Sequence, residues 1–157
     1  FRGATVIGVD SNAYRAKLAL ELGAERVLDP ADPECLKSIM ALTGGRGVDK
    51  AVDCSGIVAA HRLCLDATRR KGHVSFVGQC HDQTPLKISA DMIQKGLTLH
   101  GVWHYNLASF PRVMQVIERS PVVGKMITHV LPIGRIQEAW ELQTSGQCGK
   151  IILKPWE

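Results

Sequence analysis

The stretch Thr5-Val6-Ile7-Gly8-Val9-Asp10 decides the fold. A short apolar run rich in β-branched residues closes abruptly on a carboxylate, which predicts a buried parallel strand with an acid at its carboxyl end. In a dinucleotide-binding α/β unit such an acid accepts both hydroxyls of the adenosine ribose, because a carboxylate offers two coplanar acceptor oxygens at vicinal-diol spacing. A solvated aspartate at a strand end is the plain alternative for Asp10. The next residues favour the first reading: Ser11 as a helix cap, Ala16, Ala19, Leu20 and Gly23 along one face, and Gly23 as the left-handed stop. Arg15 is placed in the first turn of that helix, either reaching the ribose or its phosphate side, or standing in solvent.

The same alternation continues outward. Arg26 to Leu28 reads as a strand, and Asp32-Pro33 as the N-cap and first turn of a helix that buries Leu36, Ile39 and Met40 and ends near Thr43. Gly44, Gly45 and Gly47 form a loop before a strand over Val48 to Cys54, with Asp53 near its end and Gly56 opening the next helix. That helix is expected to turn Ala60, Leu63, Cys64 and Ala67 inward. Gly72 is expected to turn the chain into a strand over His73 to Val77, which breaks at Gly78. A short edge strand over Thr84 to Ile88, a brief helix capped by Ser89, and a strand over Leu97 to Val102 follow. Strands alternating with helices at this spacing imply a parallel sheet with right-handed crossovers. From His104 onward the pattern predicts a helix with Pro111 in its first turn, an extended Met126 to Leu131, a helix using Ile136, Ala139 and Trp140 that stops at Gly146, and a final strand over Lys150 to Leu153.

Composition narrows the class. At 157 residues with 45% apolar side chains, the chain suits one soluble globular domain with a real core. No apolar run reaches the roughly 18 residues of a membrane span, and no signal-like segment opens the chain, so a cytoplasmic location is the expectation. Cys35, Cys54, Cys64, Cys80 and Cys148 contain no C-x-x-C pair, which argues against a disulfide framework or a zinc ribbon. The histidines lack ligand spacing of the H-E-x-x-H kind, so no metal site is expected. The net charge of +4 comes from scattered Lys and Arg, with Arg69, Arg70 and Lys71 as a solvated run and not a nucleic-acid surface.

Val77-Gly78, Gly101-Val102-Trp103-His104, the Ile7 to Arg15 block and the tail from Ile127 to Pro155 together resemble the zinc-dependent medium-chain alcohol and polyol dehydrogenases, in their sorbitol- and threonine-dehydrogenase-like branch. The resemblance implies a Rossmann-type doubly wound parallel sheet over 1–103, and a segment over 104–157 that in the family returns to the catalytic domain. It implies NAD as cofactor, with Asp10 similar to the ribose-binding acid and Arg15 to the basic residue beside it. Cys54, Ser55 and Gly56 match the loop at the adenine slot, Val77 and Gly78 the turn that approaches the nicotinamide, and Val102, Trp103 and His104 the segment that clasps its carboxamide. Lys150 falls where the family often places a basic residue near the pyrophosphate. Plain alternatives stand beside these: Val77 as a core valine, Gly78 as a mere turn, His104 in a surface turn, Lys150 in solvent.

The resemblance also implies what the sequence omits. The first strand, its G-x-G-x-x-G turn and the zinc-bearing catalytic domain are not in these residues, and Gly3 reads as the glycine closing a helix whose body is missing. The expectation is therefore the cofactor-binding part of an NAD-linked zinc alcohol or polyol dehydrogenase, without catalytic residues of its own and associating as a homo-oligomer, a dimer in the family. Its rival is a truncated, non-catalytic nucleotide-binding or oligomerising module; a methyltransferase-like domain fits Asp10 but not the tail. With no first strand between them, Thr5 to Val9 and Lys50 to Asp53 are expected either to pair directly or to exchange strands with a second copy.

Overall fold

Periodicity and punctuation set most elements where the sequence places them. In the computed structural model, which describes residues 3–157, the first strand β1 is Ile7–Val9, and the helix α1 that follows it is Ala13–Glu21. Its cap is Asn12 and not the expected Ser11: the Asn12 side chain accepts from the Arg15 N–H, as an Asx side chain two or three residues ahead of an orphan donor can. Gly23 takes the left-handed conformation, with φ of 104°, and the chain turns into β2, Arg26–Leu28, parallel to β1.

Two compact units divide the chain, one comprising the residues up to Ala31 together with Leu107–Glu157, the other Asp32–Asn106. In the second, α2 (Cys35–Leu42) buries Cys35 and Ile39, and Gly44, Gly45 and Gly47, all at positive φ, lead into β3 (Val48–Asp53). Helix α3 (Val58–Ala67) crosses to β4 (Thr68–Phe76), and β5 (Thr98–Gly101) completes a parallel sheet in the order β3-β4-β5. Leu65 of α3, Val74 of β4 and Leu97 form its core, with Ala51, Cys64, Phe76, Met92 and Leu99 packed around them. Each large side chain so buried contributes about 1.5–3 kcal/mol. The buried residues of α3 are His61, Leu65 and Ala67, so the inward face is rotated from the expected Ala60, Leu63, Cys64 and Ala67.

Two further expectations fail in this unit. Gly72 does not precede the strand but lies within it: β4 already pairs at Thr68 with Val48, then bulges before His73 meets Lys50. A Cβ at Gly72 would lie 2.4 Å from Thr68 Cγ2, so the bulge folds back on itself where only glycine fits. Thr84 to Ile88 forms no strand; Ile88–Ile93 instead makes one wide π-helical turn. Asp91 explains it. Its buried carboxylate accepts the Lys87 N–H at 2.8 Å and a two-pronged pair of bonds from Arg62 on α3, drawing the segment into a turn against that helix. Arg62 also grips Asp66, and Lys95 caps the end of α3 through the carbonyls of Leu65 and Asp66.

In the first unit, α4 is Phe110–Arg119, β6 Ile127–Pro132, α5 Ile136–Ser145 and β7 Lys150–Lys154. β6 and β7 pair in parallel. Leu131, Ala139 and Cys148 are buried, but Ile136 and Trp140 are exposed, as is the stripe Phe110, Val113 and Ile117 on α4. The parallel strands thus lie in three sheets and not in one, and β1 and β3 belong to different ones, so their direct pairing is not formed. No helix among the described residues is long and apolar enough to cross a membrane.

The carboxyl ends of β3 and β4 are locked together by backbone. The carbonyl of Asp53 accepts the N–H groups of Val77 at 2.9 Å and Gly78 at 3.2 Å. A Cβ at Gly78 would fall 2.2 Å from the Gly56 nitrogen, and one at Gly56, where φ is +68°, 2.1 Å from the Gln79 oxygen. Two loops cross here with no room for a side chain on either.

Replacing Gly78 with Ala should therefore destabilise the protein by more than about 3 kcal/mol, overpacking and backbone displacement combined. Gly134→Ala, where an added Cβ meets nothing within 4 Å, should stay within about 0.5 kcal/mol; equal denaturation midpoints for the two variants would refute the crossing.

The Arg62 guanidinium and then the Lys87 N–H hold the Asp91 carboxyl at about 2, below its ordinary 3.8. Its contribution to stability is therefore complete above about pH 4 and disappears as pH falls through about 2. Thermal melts of Asp91→Asn should show a lower midpoint at neutral pH and a shallower decline between those limits than the unaltered chain. Parallel melting curves across that range would count against it.

Candidate functional site

At the carboxyl edge of the β3-β4-β5 sheet the strands hand over to loops, and the sequence-predicted residues of this unit collect there. Asp53 closes β3. Its side chain is 3% exposed by residue and accepts four bonds: Ser55 N–H (3.1 Å) and Ser55 Oγ (2.7 Å) on Oδ1, Gly56 N–H (3.1 Å) and His61 Nε2 (3.2 Å) on Oδ2. Burial pushes its pKa up, but the bonds from Ser55 and Gly56, with the nearby imidazole, outweigh this and the net direction is down. The carboxylate thus shapes Cys54, Ser55 and Gly56 into a tight turn.

Val77 and Gly78 cross that turn, as described above. Val102 is brought to the same edge, its N–H donating to the carbonyl of Phe76 at 3.0 Å. Trp103 follows, 74% exposed, with its ring edge-on to His104 at 4.4 Å. His104 takes a left-handed φ of 56°, which costs a non-glycine residue energy. Cys54, Ser55, Gly56, Val77, Gly78, Val102, Trp103 and His104 therefore all stand at the carboxyl ends of three adjacent parallel strands. That edge is where open α/β sheets bind their ligands.

The other candidates belong to the first unit. Asp10 stands just past the carboxyl end of β1, its N–H tied to the Leu28 carbonyl of β2. Arg15 reaches back from α1 and grips the Asp10 carboxylate with two prongs, Nε to Oδ2 at 2.8 Å and Nη2 to Oδ1 at 3.0 Å; the Asn12 N–H adds 2.8 Å to Oδ1. The guanidinium, foremost, holds the Asp10 carboxyl below its usual range, and Asp10 in turn raises Arg15. Both side chains keep solvent contact, at 30% and 48% exposure. Lys150 opens β7, exposed and paired with Ile127.

The sequence reading assigned no part to His61 or Thr84. His61 is buried on α3 between Asp53 and Thr84, with Nδ1 2.7 Å from Thr84 Oγ1 and its ring edge-on to Phe76 at 4.9 Å. The signal that could have found it is the spacing His61, Cys64, Leu65, Thr68, a helix face read one residue away. Cys64 nearby is pushed up to about 11 by burial and by the neighbouring Asp53 and Cys54, so it stays a thiol and not a nucleophile. Among the described residues no group of three or more His, Cys, Asp or Glu is placed to hold a metal ion.

Comparison with known proteins shows the family. Residues 1–119 match the family described as zinc-binding dehydrogenase. L-threonine 3-dehydrogenase of Symbiobacterium thermophilum is 34% identical over 157 residues, 96% of this chain and 44% of that protein. The enzyme of the same name from Bacillus licheniformis is 30% identical over 154 residues, 97% of this chain and 44% of its own length. Among solved structures, an alcohol dehydrogenase from Thermotoga maritima superposes with a TM-score of 0.86 at 31% identity, covering 96% of this chain and 43% of that one. The chain thus spans less than half the length of these relatives, and over the span it has, it belongs to the zinc-binding dehydrogenase family.

Proposed function

We propose that this chain is the cofactor-binding part of an NAD-dependent, zinc-dependent dehydrogenase of alcohols or polyols. The observation that carries the reading is the backbone crossing of Gly56 and Gly78, which lays two loops and the Val102 to His104 segment along one sheet edge. NAD, when bound, accepts the hydride that leaves the alcohol carbon as the hydroxyl proton is lost. Val77 and Gly78 present a flat, narrow backbone surface to a nicotinamide ring. Val102 to His104 flank it with backbone groups able to bond its carboxamide, and the exposed Trp103 and His104 rings limit solvent on that side. Cys54 to Gly56 border the adenine. Asp10 accepts the ribose hydroxyls, and its charge repels a 2′-phosphate, favouring NAD over NADP.

Arg15 qualifies the ribose contact. Its fork and the Asn12 N–H use three acceptor positions of the carboxylate, so a diol takes Asp10 by loosening one prong of that fork. Lys150 adds positive charge for the pyrophosphate. The alcohol-activating zinc finds no ligand set among the described residues. The exposed stripe Phe110, Val113 and Ile117 on α4 suits the packing of 104–157 against a further domain, and a homo-oligomer is part of the reading.

In the intact enzyme, Asp10→Ala should reduce the preference for NAD over NADP by about 1–3 kcal/mol, since it removes charge-assisted bonds and frees Arg15 for a 2′-phosphate. Adding Arg15→Ala should remove the gain with NADP; an unchanged ratio of kcat/KM for the two cofactors would exclude Asp10 from the site. The 157-residue chain alone should purify without stoichiometric zinc, and elemental analysis finding about one tightly held zinc per chain would overturn that part of the reading.

A further inference from the structure

A buried imidazole joins the two loops that cross at Gly56 and Gly78. His61 lies on the second turn of α3, 6% exposed. One ring nitrogen meets the Asp53 carboxylate at 3.2 Å and the other the Thr84 hydroxyl at 2.7 Å, while the ring stands edge-on to Phe76. Asp53 is held in its ionised form and can only accept, so Nε2 carries a proton and donates to it. Nδ1 then faces a hydroxyl that can serve as donor or acceptor. Every polar group in the chain from Asp53 through His61 to Thr84 is partnered, and no side-chain nitrogen or oxygen buried among the described residues lacks a bond.

The two ends of this relay are the loops of the candidate cofactor edge. Asp53 shapes Cys54 to Gly56. Thr84 lies within the irregular segment that runs from Val77 to Lys87, a stretch without regular secondary structure of its own. The imidazole is therefore a spacer: it ties Thr84 of the second loop to Asp53, the residue that forms the first. Beside it lies a small, mostly apolar hollow of about 220 Å³ lined by His61, Leu65, Phe76, Thr84, Leu86 and Leu99, so little else fills the space if the ring is cut away.

We propose that His61 is a positioning residue for the dinucleotide edge, holding the Cys54 to Gly56 turn through Asp53 and the Val77 to Thr84 loop through Thr84. The proposal rests on the reading of that edge as the NAD site. It predicts that affinity for NAD depends on a side chain that never touches the cofactor, because two loops must be ordered before binding and their ordering is prepaid by the buried relay.

The test uses the intact protein, with NAD as the probe, titrated calorimetrically, alongside amide hydrogen exchange and thermal melting. His61→Leu should raise the NAD Kd about tenfold, corresponding to about 1.4 kcal/mol. It should also speed exchange at Ser55 and Gly56 and across 79–84. His61→Gln, able to donate to Asp53 and reach Thr84, should recover most of the affinity. Thr84→Val, half-buried and nearly isosteric, serves if His61→Leu fails to fold; it should loosen 79–84 alone and raise the Kd about threefold, about half the free energy of the tenfold loss. An NAD Kd within twofold of the unaltered protein in His61→Leu, or in Thr84→Val where that variant stands in, would overturn the role, as would a loss of affinity that follows the melting temperature with His61→Gln no better than His61→Leu. Absence of saturable NAD binding in the unaltered protein would instead remove the cofactor reading, and the role with it.

Discussion

One buried carboxylate fixes the edge on which this chain's candidate chemistry stands. Taking the Asp53 charge out of water costs several kcal/mol unless donors replace the lost hydration. Ser55, Gly56 and His61 supply them. The backbone of the same residue binds Val77 and Gly78 of the neighbouring strand's exit. Side chain and main chain of Asp53 thus pin two loops at once, and the glycine crossing follows from how closely they are drawn together. Removal of the acid would leave the buried His61 ring and the part-buried Ser55 and Gly56 donors to find new partners.

The alternation of strand and helix was legible because each signal is local: β-branched runs, caps, and glycines at positive φ. β2 falls on the residues read from sequence, and α2, α4 and α5 within a residue or two of them. What escaped was set by contacts distant in sequence. Thr84 to Ile88 has the composition of an edge strand, but Arg62, about thirty residues from Asp91, pulls the following segment into a turn. Gly72 looked like punctuation and is a bulge, since a turn glycine and a bulge glycine differ only in what the partner strand does. The division into three sheets was not legible either, because pairing partners are set by contacts that no local signal marks.

The site was legible unevenly for the same reason. Residues that act through backbone at strand ends, such as Gly56, Gly78 and Val102, are marked by their place in the alternation. His61 is marked locally only by its spacing from Cys64, Leu65 and Thr68, one of two competing faces. Its neighbours on α3 are small residues, Ala59, Ala60, Cys64 and Ala67, which give the helix two nearly equal apolar stripes. A histidine on one of them directs a periodicity reading to the other. Only the Asp53 carboxylate, eight residues earlier on a different element, explains why a polar ring is turned inward.

Asp10 and Asp53 show how one residue type at equivalent strand ends serves opposite ends. Asp53 is sealed, its acceptor positions filled by fixed backbone and an enclosed ring, and it shapes the chain. Asp10 remains partly in water, and two of its partners come from one flexible guanidinium that is itself half exposed. A surface pair of this kind contributes roughly 0–1 kcal/mol, because water competes for both partners and Arg15 loses rotamer freedom in holding the fork. Such a pair is cheap to rearrange, so it can hold the carboxylate oriented without a ligand and give up a prong to one. The difference between the sealed acid and the open one lies in the cost of exchanging their donors.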